Sequence, residues 1–220
     1  MRKFISESRK LEKSAFELRR RRLNWRLVAK GRIEKHFKEA CDSAEKYSYP
    51  LPMTCHTHET TYNEQTVQIT GAPNPTGVVE NQKDTDTRPS KIEVEKGAAL
   101  VASFGSNGNV AFIIYPYKSG RHSRNEDNII LHHHLSPDAV TEKLIKRCIS
   151  LFFLYVRSSS IYGSYSSSFL DFFRINLMIA ADIRNRNKLY RSAFIFLAEW
   201  SKIIGAGVAG YIVAIMTQGS

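Results

Sequence analysis

The sequence predicts an α+β fold, in which a long basic helix comes first, a small antiparallel sheet follows, and further helices come last. All seven prolines lie from Pro50 to Pro137, so the segments before and after them lack the residue that breaks helices. The segment between is rich in turn-forming and β-branched residues, which favour short strands. We therefore expect an N-terminal helix at 1–46, a β module at 47–135 and a helical region at 136–217.

Apolar residues recur at near-helical spacing in the first segment, which predicts a helix face turned towards a core. These residues are Phe16, Leu23, Leu27, Ile33, Phe37, Cys41 and Ala44. The segment carries fifteen Lys/Arg and seven Asp/Glu, and it supplies eight of the eleven net positive charges of the chain. A charge of this size favours an anionic partner: nucleic acid, acidic lipid or an acidic protein surface.

The densest positive charge is the arginine run at 19–22. Arginine binds phosphate bidentately, so we predict an anion-binding helix that holds nucleic-acid phosphate or acidic lipid. The predicted site consists of Arg19, Arg20, Arg21, Arg22, Arg26 and Lys30. The alternative is a solvated helix face with Glu12, Glu17 and Glu34 as local partners.

The middle segment predicts four or five antiparallel strands. Asn107-Gly108 stands between two apolar runs, which is a strong hairpin signal. Residues 71–90 are rich in proline, glycine and polar residues, and they are expected to form a polar loop. The predicted strands are 65–70, 91–95, 98–104, 109–115 and 128–133.

Aromatic and basic side chains occur together after the strand that ends near Tyr115. This composition is typical of surfaces that stack bases and hold phosphates. We predict a secondary binding loop formed by Tyr115, Tyr117, Lys118, Arg121 and Arg124. The alternative is a solvated loop whose tyrosines pack on the sheet edge.

Two His-x-His patterns, His56/His58 and His132/His134, would each present two imidazoles to one zinc ion if they lay on strands. Nothing in the sequence brings the pairs together, and the first pair is expected in a proline-flanked loop. We therefore predict no metal site. The alternative is a zinc site with Glu59 as its general base.

The third segment is expected to begin with a capped helix at Ser136 and to continue with a core helix at 169–183. The alternative for 169–183 is the first limb of a helical hairpin whose second limb is the apolar run 193–216. The run would reach about 36 Å as a helix, enough to span a bilayer. The alternatives are a buried helix of a soluble protein and an interfacial helix.

The apolar run also carries a ridge of small residues, Ala206, Gly210 and Ala214. Such a ridge allows close helix packing, and it predicts a homo-oligomer or a protein complex. The flanking residues Arg184, Arg186, Lys188 and Arg191 would place the bulk of the chain in the cytoplasm if the run spans a membrane.

We expect neither an enzyme nor a bound cofactor. The chain has no Gly-x-Ser-x-Gly, Walker loop or His-Glu-x-x-His. Gly205-x-Gly207-x-x-Gly210 matches a dinucleotide fingerprint in spacing, but ten residues follow it, too few for the second strand and the ribose-binding acid. Three widely spaced cysteines favour a reduced location, and Cys148 is expected in the core.

These features predict a membrane-associated, non-enzymatic protein of the inner membrane, with a basic cytoplasmic module and its last one or two helices in the bilayer. Bacterial inner-membrane effectors of the toxin or antiviral-defence type share this architecture, which is an analogy and not a motif. The rival prediction is a soluble cytoplasmic protein that binds nucleic acid or a ribonucleoprotein, with 193–216 buried in its core or in a partner.

Overall fold

The computed structural model describes residues 2–59, 65–80, 91–166 and 168–185, and these have the predicted α+β class. The helices are α1 (Arg2–Asn24), α2 (Lys30–Lys46), α3 (Glu142–Ser159) and α4 (Phe169–Ala181). The strands are β1 (Met53–Glu59), β2 (Gln65–Gly71), β3 (Asn74–Glu80), β4 (Lys91–Glu95), β5 (Ala99–Phe104), β6 (Val110–Tyr115) and β7 (Ile129–Leu135). The long helix therefore precedes the strands, and the remaining helices follow them.

The N-terminal helix is continuous, because α1 passes into α2 through a π-helical turn at Trp25–Ala29. Its buried apolar side chains follow one another in steps of four, which keeps them on one face. They are Trp25, Ala29, Ile33, Phe37 and Cys41. The indole of Trp25 stacks on the ring of Phe104, with centroids 5.0 Å apart, and so joins the helix to the main sheet.

The predicted core stripe of this helix is wrong in its first half. Phe16, Leu23 and Leu27 are 68%, 48% and 68% exposed, whereas the second half is buried. The reason is the phase of the helix. Leu23 and Leu27 each lie two residues from Trp25, which is about 200° around the helix, so they face away from the sheet.

The main sheet has five antiparallel strands in the order β1-β2-β5-β6-β7. The hairpin predicted at Asn107-Gly108 joins β5 to β6, and Gly108 has the positive φ of 78° that such a turn requires. Alternate residues of the central strands are buried, among them Val67, Leu100 and Phe112. This period of two confirms the half-buried sheet that the sequence predicts.

A second sheet of two strands, β3 and β4, corrects two expectations. Residues 74–80 form a strand and not part of a 71–90 loop, and β4 pairs with β3 instead of joining the main sheet. The register shifts between Pro75 and Val79, and Gly77 between them has a φ of 78°. This irregularity accommodates the proline and the glycine that indicate a turn in the sequence. Residues 81–90 lie outside the described part of the chain.

Strand β1 replaces the proline-flanked loop expected around His56. Met53 is buried while Thr54 and His56 are exposed, so the strand alternates between the two faces of the sheet. It pairs with β2 along its whole length. Pairing with a later strand sets this structure, and the local composition does not reveal it.

Helix α3 begins at Glu142, six residues after Ser136, where the sequence predicts the N-cap. Pro137–Ala139 form only a short 3-10 turn. The Ser136 hydroxyl donates to the Asp138 carboxylate at 3.0 Å, so it makes no capping bond. Thr141 caps α3 instead, because its Oγ1 accepts the Leu144 N–H at 3.3 Å.

Helix α4 is not the core helix that the sequence predicts at 169–183. Asp171, Ile175 and Met178 are buried, and the opposite face is exposed. That exposed face carries large apolar side chains: Phe169, Leu170, Phe172, Phe173 and Leu177. Because apolar residues lie on several sides of this helix, their spacing does not reveal which side packs.

The chain divides into a unit of residues 1–178 and a second unit of residues 179–220. The structure describes residues 179–185 of the second unit, where Asp182 pairs with Arg184 at 2.7 Å. The predicted run 193–216, with Ala206, Gly210 and Ala214, lies outside the described residues. Of the helices that are described, none combines the length and the apolar character needed to cross a membrane.

Candidate functional site

Arg20, in the predicted anion-binding run, lies between two carboxylates. Its Nε donates to Glu17 at 2.8 Å, and its Nη2 lies 2.7 Å from Oδ2 of Asp138. Hydrogen bonds from Arg20 and Arg21 lower the pKa of Glu17 to about 2. The Arg20 hydrogen bond also lowers the pKa of Asp138. Arg20 therefore ties α1 to the turn before α3.

The next two arginines contact the hairpin between β5 and β6. Arg21 donates to the Asn109 side-chain oxygen at 2.5 Å, and Arg22 donates to the Ser106 carbonyl at 3.2 Å. Gly108 lies against the same helix, because a Cβ built on it would meet Leu18 at 2.9 Å. These contacts hold the helix against the hairpin, a structural role that a run of arginines does not indicate in the sequence.

The remaining residues of the predicted site differ in exposure. Arg19 and Arg26 are exposed, and Lys30 is half-buried. Arg19 follows Phe16 by three residues and Arg26 follows Leu23 by three, so each lies beside an exposed apolar side chain. Anion binding by the run stays a prediction, and Arg19 and Arg26 are two of its exposed cations.

Phe16, Leu23 and Leu27 form a line along the solvent-facing side of the N-terminal helix, which we call the outer stripe. The three residues lie at i, i+7 and i+11, a spacing that keeps them on one face. Their exposure leaves a row of apolar side chains next to arginines. A basic helix with such a row is typical of helices that bind a membrane surface or a partner groove.

The predicted loop Tyr115–Arg124 is largely engaged within the protein. Tyr117 is fully buried and its hydroxyl donates to the Ala72 carbonyl at 2.9 Å, so it is not available to stack a base. Lys118 pairs with Asp127 at 2.5 Å. The other basic residues also have acidic neighbours, since Arg124 pairs with Glu126 and Arg121 lies 3.8 Å from Glu93. Tyr115 is half-buried.

The histidine pairs lie on opposite edges of the main sheet, since β1 carries His56 and His58 and β7 carries His132 and His134. Three strands separate these edges, which is about 19 Å between β1 and β7. The alternative of one zinc site built from both pairs is therefore wrong. His132 packs edge-on against Phe112, and its burial lowers its pKa. No cluster of three metal-binding side chains occurs among the described residues.

The three cysteines are free thiols. Cys148 is fully buried, which confirms its place in the core, and burial raises its pKa to about 12. Burial likewise raises the pKa of Cys41 to about 12 and that of half-buried Cys55. A raised pKa disfavours the nucleophilic thiolate, so none of these thiols is poised for covalent chemistry.

A cleft of about 570 Å³ between α3 and α4 was not anticipated from the sequence. Its lining includes Tyr49, Phe153, Leu154, Arg157, Asp171 and Arg174. Arg157 donates to Asp171 at 2.6 Å, and the Ser168 N–H and Arg157 lower the pKa of that carboxyl. The ion pair joins helices on either side of a turn, and only the tertiary structure reveals it.

Comparison of the chain with protein-family models, with curated proteins and with solved structures finds no match. A function is therefore inferred from the fold and from the described surfaces. Two of those surfaces combine exposed apolar side chains with arginines: the outer stripe of the N-terminal helix and the exposed face of α4.

Proposed function

We propose that this protein is membrane-associated and non-enzymatic, and that its N-terminal helix binds an anionic lipid surface. The observation that carries the proposal is the outer stripe, with Arg19 and Arg26 beside it. Burying a Leu or Phe side chain contributes about 1.5–3 kcal/mol, and a basic residue near an anionic surface contributes about 1 kcal/mol. Together these terms favour reversible binding to acidic bilayers.

The C-terminal part of the proposal rests on the sequence. The run 193–216 would enter the bilayer, and the basic residues before it would stay on the cytoplasmic side. The protein would then lie at the inner membrane, with its basic module cytoplasmic. A role as a toxin-like or antiviral effector is part of the proposal by analogy of architecture alone.

The contacts that the arginine run makes within the protein favour lipid over nucleic acid as its partner. Arg20 and Arg21 contact Asp138 and Asn109 within the protein, which leaves fewer cations for a row of phosphates. Nucleic acid also offers little contact to the aliphatic side chains of Leu23 and Leu27, whereas an acidic bilayer receives both apolar and basic groups. Retention on duplex DNA without binding to vesicles would support the nucleic-acid alternative.

The test is flotation of the full chain with vesicles of phosphatidylcholine, with or without phosphatidylglycerol. We expect stronger binding to the anionic vesicles, and a loss of this difference at high salt because salt screens the arginines. Arg19→Gln with Arg26→Gln should reduce the preference, whereas the matched pair Lys35→Gln with Lys143→Gln should leave it unchanged. Equal binding to both vesicle types would contradict an anionic surface as the partner.

A further inference from the structure

We infer that α4 lies in the interface of an anionic bilayer, with its exposed face among the acyl chains and Arg174 on a lipid phosphate. This inference rests on the membrane association proposed above and adds a second contact to it. It concerns residues 169–178, which belong to the same unit as the sheet.

Helix α4 has an inverted polarity, with a charged residue on its buried side and apolar residues exposed. The face that packs on the protein contains a carboxylate, Asp171, whereas the exposed residues of this helix are mostly large and apolar, and Arg174 is the one charged residue among them. We call this exposed surface the outer face of α4. It consists of Phe169, Leu170, Phe172, Phe173 and Leu177, which are 81%, 64%, 65%, 54% and 53% exposed. A contiguous apolar surface of this kind marks a site for a membrane or a partner.

The polar residues of this helix are compatible with an apolar neighbour. Asn176 lies between the apolar side chains, and its amide donates to the Phe172 carbonyl at 2.9 Å, so part of its polarity is satisfied within the helix. Asp171 accepts from Arg157 at 2.6 Å and from the Ser168 N–H at 3.2 Å. The buried carboxylate therefore has its partners on the protein side.

Arg174 lies at the border between the outer face and the cleft beside α3. It is exposed and lines the cleft with Arg157, while Phe153 and Leu154 supply an apolar wall. Guanidinium groups bind phosphate oxygens, and long basic side chains at an interface extend towards headgroups while their stems stay in apolar surroundings. The cleft thus suits a phosphate headgroup above apolar side chains.

A bilayer fits this face better than a second copy of the chain. The outer face of α4 carries no acid that would pair with Arg174 of another copy. Helix α4 ends at Ala181, and the apolar run 193–216 begins twelve residues later in the sequence. The residues between include four cations, Arg184, Arg186, Lys188 and Arg191, and such a basic stretch beside an apolar run is typical of a membrane interface.

The test uses the full chain with the substitutions Phe173→Cys and Cys55→Ser. An environment-sensitive fluorophore is attached at position 173. Lys143→Cys on the exposed side of α3 is the matched control. With phosphatidylglycerol vesicles we expect a blue shift at position 173 and quenching by lipids that carry a nitroxide on the acyl chain. The label at position 143 should show neither change, and circular dichroism verifies that both variants are folded.

The contact between Arg174 and a lipid phosphate is tested with a separate pair of variants. Arg174→Gln should weaken vesicle binding about fivefold, and Lys143→Gln should leave it unchanged. An Arg174→Gln protein that binds like the wild type would overturn the phosphate contact.

The remaining outcomes separate this inference from the proposed function. Vesicle-bound protein whose label at 173 is not quenched overturns the inference alone. A label that is already blue-shifted without vesicles also overturns it, because the face is then covered by the chain itself or by a second copy. Protein that binds no vesicles overturns both the inference and the proposed function.

Discussion

The Nη2 atom of Arg20 lies 2.7 Å from Oδ2 of Asp138, and this ion pair joins the N-terminal helix to the turn before α3. The same guanidinium also bonds Glu17, so one arginine holds two acids. Arg19, its neighbour in the sequence, is exposed on the other side of the outer stripe. Two adjacent residues of one basic run thus differ, since Arg20 pairs within the fold and Arg19 is exposed.

The acids around Arg20 predict a loss of stability at low pH. Glu17 has an ordinary pKa of 4.5 that is lowered to about 2, and the pKa of Asp138 is also lowered. The folded protein therefore binds these protons less readily than the unfolded chain does, so acidification favours unfolding. We expect the melting temperature to fall as the pH decreases from about 4.5 to about 2. Thermal melts across this window measure it.

A double variant isolates this effect. Glu17→Gln with Asp138→Asn should flatten the acid dependence, because neither side chain then titrates. Glu7→Gln, which removes an exposed acid paired with Lys10, is the control and should leave the slope nearly unchanged. If the melting temperature of the double variant still falls with decreasing pH as in the wild type, other carboxylates cause the acid dependence.

Trp25 is expected to be the most costly residue of the N-terminal helix to remove. It is 1% exposed, stacks on Phe104, and donates its Nε1–H to Gln65 at 2.9 Å. Trp25→Ala should lower the free energy of unfolding by about 3–5 kcal/mol. Leu27→Ala, two residues along on the exposed face, should change it by less than about 0.5 kcal/mol. Urea titrations compare the two, and similar losses would contradict the assigned helix phase.

Glu95 connects the small sheet to the end of α3. Its buried carboxylate accepts from Asn74 Nδ2 at 2.6 Å, from Ser160 Oγ at 2.5 Å and from the Ile161 N–H at 2.9 Å. Glu95→Ala would leave these donors buried without a partner, and it should cost about 3 kcal/mol in unfolding free energy. Exposed Glu45→Ala serves as the control. Equal unfolding midpoints for the two variants would rule out this anchoring role.

The elements set by local chemistry could be predicted from the sequence. The absence of proline before Pro50 predicts the long helix, and Asn107-Gly108 predicts the hairpin because glycine tolerates the positive φ of the turn. Alternating apolar residues predict four of the five strands of the main sheet, β2, β5, β6 and β7. Strand β1 was not predicted, because its composition does not indicate a strand and its structure depends on pairing with β2.

The surfaces proposed to bind the membrane were harder to predict. Apolar residues at helical spacing indicate a face, but they do not say whether that face meets a core or solvent. Leu27 and Ala29 both fit a helical stripe, and only the contact between Trp25 and Phe104 decides which of them is buried. The pairing of Arg20 with Asp138 likewise could not be predicted, because the two residues lie far apart in the chain.

The most direct test of the central claim compares two faces of the N-terminal helix in vesicle flotation. Phe16→Ser, Leu23→Ser and Leu27→Ser together remove the outer stripe, whereas Phe4→Ser with Leu11→Ser removes exposed apolar groups from another face of α1. We predict that the triple variant keeps its melting temperature but binds phosphatidylglycerol vesicles at least about tenfold more weakly than the wild type. The control variant should bind like the wild type. Undiminished binding by the triple variant would contradict the account.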